Sequence, residues 1–404
     1  MTSTATVPTS TGIGAPGNAP APANLGRSAM ASAPAGASPS AIPFVRGATL
    51  ATMRDAQRVY TAGQADQIQL QTNAFLEAII FDVVLTTAGN AATVVFAADS
   101  PWQVIQQIKL DDPAGQSIIA PITGYQLYLL NKYLPDVECA FDPKSDPGFV
   151  LTTGSGGTGG SFNFRLVLPV EHRRRDALGA LNNSAANQRY LITINIIPTF
   201  ATLYTTPPTT PAPNLSMQLY QQYWTSPPAV IQTAQGSTEV DGTPPGLGTV
   251  GFVRFERHNE VNGGGSPPVQ LNNVGDYLSC IIFILRTPAN VRDAADWPPE
   301  FDWWVNDFQV HALSTSQWTR EMSRFYVYNN AVETSRGLDN GVFTLLQLFQ
   351  LFDDVNNFAP AGQYLPTDAT TKLQVRGSTF GAGAGYLEVL TRIIRPVSGA
   401  TLFA

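Results

Sequence analysis

Between Ser161 and Pro198 the chain alternates apolar and polar residues with a period of two, twice over, and this restricts the fold more than any other feature. Phe162, Phe164, Leu166, Leu168 and Val170 share one face, with Asn163, Arg165 and Pro169 on the other. After the basic connection Glu171-His-Arg-Arg-Arg-Asp-Ala-Leu-Gly-Ala-Leu181, a second run puts Tyr190, Ile192, Ile194 and Ile196 on one side and Leu191, Thr193 and Asn195 on the other. A period of two marks a strand with one buried face. Neither strand carries a residue suited to catalysis.

Further strand candidates fill the first half: Gln67 to Thr72, Phe75 to Thr86, Ala92 to Ala97, Gln103 to Leu110, Gln116 to Ile119, Phe149 to Thr152 and Ser216 to Trp224. Turn residues separate them, as in Ala88-Gly-Asn90 and Asp111-Asp-Pro-Ala-Gly115. Leu127, Leu130 and Leu134 recur at helical spacing before Pro135, which predicts one helix. In the second half strands are read at Gly248 to Arg257, Val269 to Leu271, Tyr277 to Arg286, Trp303 to Ala312, Arg324 to Asn329, Lys372 to Val375 and Gly385 to Ile394. Leu345, Leu348, Phe349 and Phe352 form the stripe of a second helix or a buried strand.

A chain of 404 residues is too long for one ordinary sandwich and suits two plus a tail. Residues 1–65 read as a flexible Ala/Pro-rich arm, with a short helix at Met53-Arg-Asp-Ala-Gln-Arg-Val-Tyr60. Residues 66–236 and 237–404 read as the two sandwich domains. Only 13% of residues are charged, about half the usual ~25%. So little charge suits a surface buried against other subunits, because interface cores are depleted of Lys, Glu and Asp.

The net charge of −7 excludes a basic field for nucleic acid, so no sequence-specific nucleic-acid partner is expected. The arm is the exception, with Arg27, Arg46, Arg54 and Arg58 against Asp55. That balance of +3 leaves −10 for the remainder and makes the arm the candidate contact for an anionic membrane surface. The densest positive cluster is Arg173-Arg-Arg175, a candidate inter-subunit loop. The first residues lack the charged start and continuous apolar core of a signal peptide, so synthesis and folding in a cytoplasm are expected.

Sites for chemistry are few. Cys139 and Cys280 are too far apart in sequence for a disulfide framework or zinc site, and Cys280 lies in an apolar run that predicts a buried free thiol. His172, His258 and His311 are scattered, the first two in contexts that predict exposure. Gly154-Ser-Gly156-Gly-Thr-Gly159 matches G-x-G-x-x-G formally, but a strand follows it where a phosphate site needs a helix N-terminus. Gly381-Ala-Gly-Ala-Gly385 reads as another surface loop. Asp111-Asp112 and Asp353-Asp354 read as solvated turns rather than Ca²⁺ ligands. No catalytic, cofactor or metal site is expected, and no enzyme activity.

The strand ending in Leu168-Pro169, followed by Asp176-Ala-Leu-Gly-Ala180 and then Gln188-Arg-Tyr-Leu-Ile-Thr-Ile194, resembles the major capsid proteins of tailless bacteriophages with an internal membrane, the tectivirus type. Leu219-Tyr-Gln-Gln-Tyr-Trp224, Tyr277-Leu-Ser279 and Trp318-Thr-Arg320 add to the likeness, which runs from about Asp66 onward. The resemblance implies an all-β fold of two side-by-side antiparallel jelly rolls with a few short helices. It also implies a homotrimer that tiles an icosahedral virion shell, with vertex and minor capsid proteins and an internal lipid membrane as further partners. Two alternatives stand beside it. One is a secreted carbohydrate-binding or carbohydrate-active sandwich using Trp303 or Trp224 to stack on sugars, and the other is a minor vertex or spike protein of the same virus type.

Overall fold

The computed structural model describes residues 42–87, 93–134, 142–154, 158–172, 177–210, 212–233, 236–244, 247, 249–265, 268–272, 277–325, 341–344, 365–367 and 370–396. The chain enters through the short helix α1 (Phe44–Gly47). The principal elements of the first half are β1 (Leu50–Tyr60), β2 (Ala65–Gln69), β3 (Phe75–Leu85), β4 (Ile105–Asp111), β5 (Ser117–Ile122), α2 (Gly124–Tyr133), β6 (Val150–Leu151), β7 (Phe162–Pro169), β8 (Leu191–Ile196) and β9 (Leu215–Trp224). Those of the second half are β10 (Thr249–His258), β11 (Val269–Leu271), β12 (Tyr277–Arg286), β13 (Glu300–Val305), β14 (Phe308–Ser314), α3 (Thr315–Phe325), β15 (Val342–Thr344), β16 (Leu373–Gly377) and β17 (Tyr386–Pro396).

Alternation along the sequence becomes layering. One sheet runs β1-β9-β3-β7-β6, and β2-β8-β4-β5 lies across from it. Phe162, Phe164, Leu166 and Leu168 of β7 are buried against Ile192, Ile194 and Ile196 of β8 in one core. The second half repeats the plan: β10, β17, β12 and β15 on one side, β11-β16-β13-β14 on the other. All pairings between these strands are antiparallel save one. β5 meets β10 in parallel at Ile119 and Val253, which joins the two halves into a single nine-stranded sheet.

The predicted helix is present, and its ends follow from its sequence. Thr123 Oγ1 accepts from Gln126 N at 3.1 Å, and Gln126 Oε1 accepts from Thr123 N at 2.9 Å, a capping box. Farther along the helix, Asn131 turns its amide onto β7, donating to Val167 O at 2.6 Å and accepting from Val167 N at 2.8 Å. A side chain thus takes the place of a neighbouring strand.

Several readings need correction. Met53 to Tyr60 is strand, not helix, because β9 offers Leu50–Tyr60 a full antiparallel partner in a sheet. Pairing overrides weak helical propensity here. Trp303 to Ala312 is two strands, since Asn306 and Asp307 both adopt positive φ (48° and 64°) and turn the chain into a hairpin. Trp318 belongs to a helix, α3, which also takes in Arg324. Gly381 to Gly385 is no loose loop: a Cβ on Gly381 would stand 1.8 Å from Asp296 Oδ1, so close packing demands glycine. The stripe Leu345 to Phe352, together with Cys139, Asp353 and Asp354, lies outside the described residues.

Cys280 is a buried free thiol, its pKa pushed up to about 12 by burial. His172 and His258 are buried as well, against expectation. His258 closes β10, with Nδ1 2.8 Å from Glu260 Oε1 and Nε2 3.4 Å from Glu256 Oε2. Glu256 in turn accepts from the Asn272 backbone and side-chain nitrogens at 2.9 and 3.0 Å. Burial alone would lower the His258 pKa, but the bonds to Glu256 and Glu260 and their charges outweigh it and hold the imidazole above its ordinary value. A raised folded-state pKa gives stability that is complete below the unfolded value of about 6.5 and is lost as pH climbs through the folded value. The urea midpoint should therefore fall between about pH 6 and pH 8.5. His258→Gln should remove that component of the slope.

Candidate functional site at the sandwich junction

Among the described residues a buried cluster of charged side chains lies where the two halves meet. The turn before β4 carries Asp99, and β12 ends at Arg286, the one charged residue following the apolar run Leu278 to Leu285. Asp99 accepts from Arg286 Nη1 at 2.8 Å and from Arg292 Nε at 2.6 Å. Arg286 Nε also lies 2.9 Å from Glu388 Oε2 on β17. Gln126, set by the capping box, donates its Nε2 to the same Glu388 oxygen at 3.2 Å. Arg292 donates to Ala98 O at 2.9 Å and stacks 4.8 Å from the centre of the Tyr125 ring. The first half thus supplies Asp99, Gln126 and Tyr125, and the second supplies Arg286, Arg292 and Glu388.

Arg286, Arg292 and Glu388 are buried and Asp99 is largely so, so each needs its partner. Burial by itself raises the Asp99 carboxyl, but Arg286 and Arg292 outweigh it and hold Asp99 below the usual carboxylate range. Burial works against both guanidiniums too, and Asp99, with Glu388 for Arg286 and Tyr125 for Arg292, keeps them charged. A second polar contact crosses the same boundary. Arg392 of β17 donates to Glu171 O at 2.6 Å, and Trp224 Nε1 donates to Glu171 Oε2 at 2.7 Å. Beside it His172 presses on β10 at Gly251, where a Cβ would stand 2.0 Å from Nε2. Arg254 of β10 donates to Ser117 O of β5 at 2.8 Å.

The residues singled out from sequence lie elsewhere. Arg46 is exposed at the end of α1. Arg54 and Arg58 are exposed on β1, Arg54 opposite Tyr220 and Arg58 opposite Met217, which puts them on opposite faces of the sheet. Arg58 pairs with Asp66 at 3.3 Å. These three form no single basic patch, and Arg27, Arg173, Arg174 and Arg175 lie outside the described residues. Asp111 pairs with Lys109 at 2.8 Å, and Asp112 accepts from Gln116 N at 2.7 Å within its turn. Among the described residues no group of three or more His, Cys, Asp or Glu is placed to hold a metal ion. No described helix is long and apolar enough to cross a membrane. Trp224, Trp297, Trp303 and Trp318 are all buried, so Trp303 and Trp224 offer no face to a sugar.

No protein-family model matches the chain, and no curated protein does. Among solved structures it is similar to the STIV MCP, with a TM-score of 0.57 and 15% identity over 87% of this chain and 97% of that one. It is also similar to the PBCV-1 virus capsid (TM-score 0.56, 10% identity, 88% and 97% covered) and to the Faustovirus major capsid protein (TM-score 0.50, 10% identity, 86% and 90% covered). At such identities the likeness is one of fold. The chain has the double jelly-roll fold of these capsid proteins, in which two jelly-roll sandwiches stand side by side.

Removing one member of a buried ion pair strands the others. Asp99→Asn should cost about 3–5 kcal/mol in urea unfolding. The exposed pair of Asp82 with Arg165, at 2.7 Å, provides the contrast, and Asp82→Asn should cost below about 1 kcal/mol. Equal costs for the two variants would contradict the ranking.

Proposed function

We propose that this chain is a structural capsid protein whose copies build the shell of a virion, with no enzymatic step in its role. The observation that carries the reading is coverage: the likeness takes in 97% of the STIV MCP and 87% of this chain, so one fold accounts for nearly all of both. A second observation agrees with it. A buried ionic cluster joins one sandwich to the other, which suits a rigid building block.

In this reading three copies form a capsomer. Three chains with two similar sandwiches each give six lobes and a pseudo-hexagonal outline, a shape that tiles a closed lattice through repeated heterologous contacts. Low charge lets wide surfaces lose water at small cost. The arm of residues 1–65 would face an internal membrane of the tectivirus kind through Arg27 and Arg46, since Arg54 and Arg58 lie on opposite faces of β1 and cannot share that contact, and Arg173, Arg174 and Arg175 would meet a neighbouring subunit or a vertex protein. A minor vertex or spike role differs from this one in copy number per virion. The carbohydrate-binding reading is weakened by the burial of Trp224 and Trp303.

Light scattering on the purified full chain, coupled to size exclusion, tests the trimer. The expected mass is three times the 43.3 kDa of the chain. A folded species that stays at 43.3 kDa at every concentration would contradict it.

A further inference from the structure

The described surface carries two apolar patches, one on each jelly roll. On the outer face of the first sheet, Val59, Val84 and Val150 are 59%, 37% and 49% exposed. They fall in one cross-strand row, since Val59 pairs with Ser216, Ser216 with Val84, Val84 with Asn163 and Asn163 with Val150. Next to that row is a depression of about 250 Å³ lined by Asp82, Val84, Asn163, Arg165, Asp146 and Gly148. It is the size of a side chain, with Val84 as its one apolar side chain and Ser216 and Gln218 among its polar walls.

The other patch is a projection. Phe308, 72% exposed, stands just past the tight turn of the β13–β14 hairpin, and Val310, 41% exposed, is the extra residue of a bulge in the same strand. Among the described residues β14 is the last strand of its sheet, with no strand on its outer edge. Natural edge strands are protected by charges or proline. β1 carries Arg54 and Arg58 at its edge, whereas Phe-Gln-Val-His-Ala-Leu-Ser in β14 has neither charge nor proline. An apolar, unprotected edge belongs under another surface.

We infer that the β13–β14 hairpin of one copy docks on the valine row of a second copy, with Phe308 entering the depression beside Val84. The inference rests on the shell-forming reading above and gives its contact a location. Charge favours this occupant. Around the depression Asp82 and Asp146 outnumber Arg165, while beside the hairpin tip Lys372 and Arg376 outnumber Asp307. Asp302, farther along that sheet, is taken up by Gln309 Nε2 at 3.0 Å. Because the two patches differ and each chain carries both, the contact is heterologous, the kind that closes into a ring when its rotation allows.

The full chain, wild type against Phe308→Asp and Val84→Asp, tests the docking by light scattering over a concentration series. Phe308→Asp, at a side chain 72% exposed, should leave circular dichroism and the thermal midpoint unchanged, and Val84→Asp, at one 37% exposed in a central strand, should keep the fold with a lower midpoint, while association weakens by about tenfold or more in both. Amides of Phe308–Ser314 should exchange more slowly in the associated wild type than after dilution, a readout that needs no variant. A wild type that associates while both variants associate equally well overturns the docking and leaves the shell reading standing. Protection of β14 that is independent of concentration also overturns it, because the cover would then come from the same chain. A monomeric wild type removes both readings.

Discussion

Two arginines, buried at the seam of two sandwiches, have to find negative charge on the far side. Arg286 and Arg292 come from the second jelly roll, and Asp99, which lies between them, comes from the first. Taking such charges out of water is costly, and apolar side chains of similar size often stabilise as well or better. What the ionic seam supplies is a single geometry. A sliding or rotated seam would leave two guanidiniums without Asp99, whereas an apolar seam would tolerate many offsets. The arrangement of the halves follows from this demand.

Other contacts lie in series with it. Gln126 both caps α2 and holds Glu388, so the helix that covers the edge of β7 through Asn131 is registered against β17. Arg392, four residues beyond Glu388 on β17, reaches Glu171, whose carboxylate holds Trp224. Trp224 packs edge-on against Phe44 with ring centres 6.3 Å apart, and Phe44 meets Phe75 at 5.3 Å. The root of the N-terminal arm is thereby fastened close to the seam. A shell subunit would gain from such stiffness, since errors of angle between its lobes multiply across a lattice.

The layers were legible in the sequence because period-two alternation is a local property: β7 and β8 bury the residues that their spacing assigns inward. Local signals failed where a partner decides. Met53 to Tyr60 has a composition open to helix, and only β9, more than 150 residues later, makes it a strand. Asn306-Asp307 is a hairpin turn that a run of aromatic and branched residues disguised as mid-strand. The glycines of 381–385 look like slack in the sequence, but Gly381 and Gly383 make room for Asp296 and Gly385 for the backbone at Pro288. The seam has no local signal, because Asp99 lies 187 and 193 residues before its partners Arg286 and Arg292. A faint signal exists in Glu388 and Arg392, two charges inside the mostly apolar run Tyr386 to Ile394, where a buried charge requires a partner.

If the seam makes one body of the two jelly rolls, they should unfold together. Differential scanning calorimetry on the dissociated full chain measures this directly. A single transition with equal calorimetric and van't Hoff enthalpies is the predicted result. Two separate transitions, with Asp99→Asn leaving both unmoved, would contradict the account.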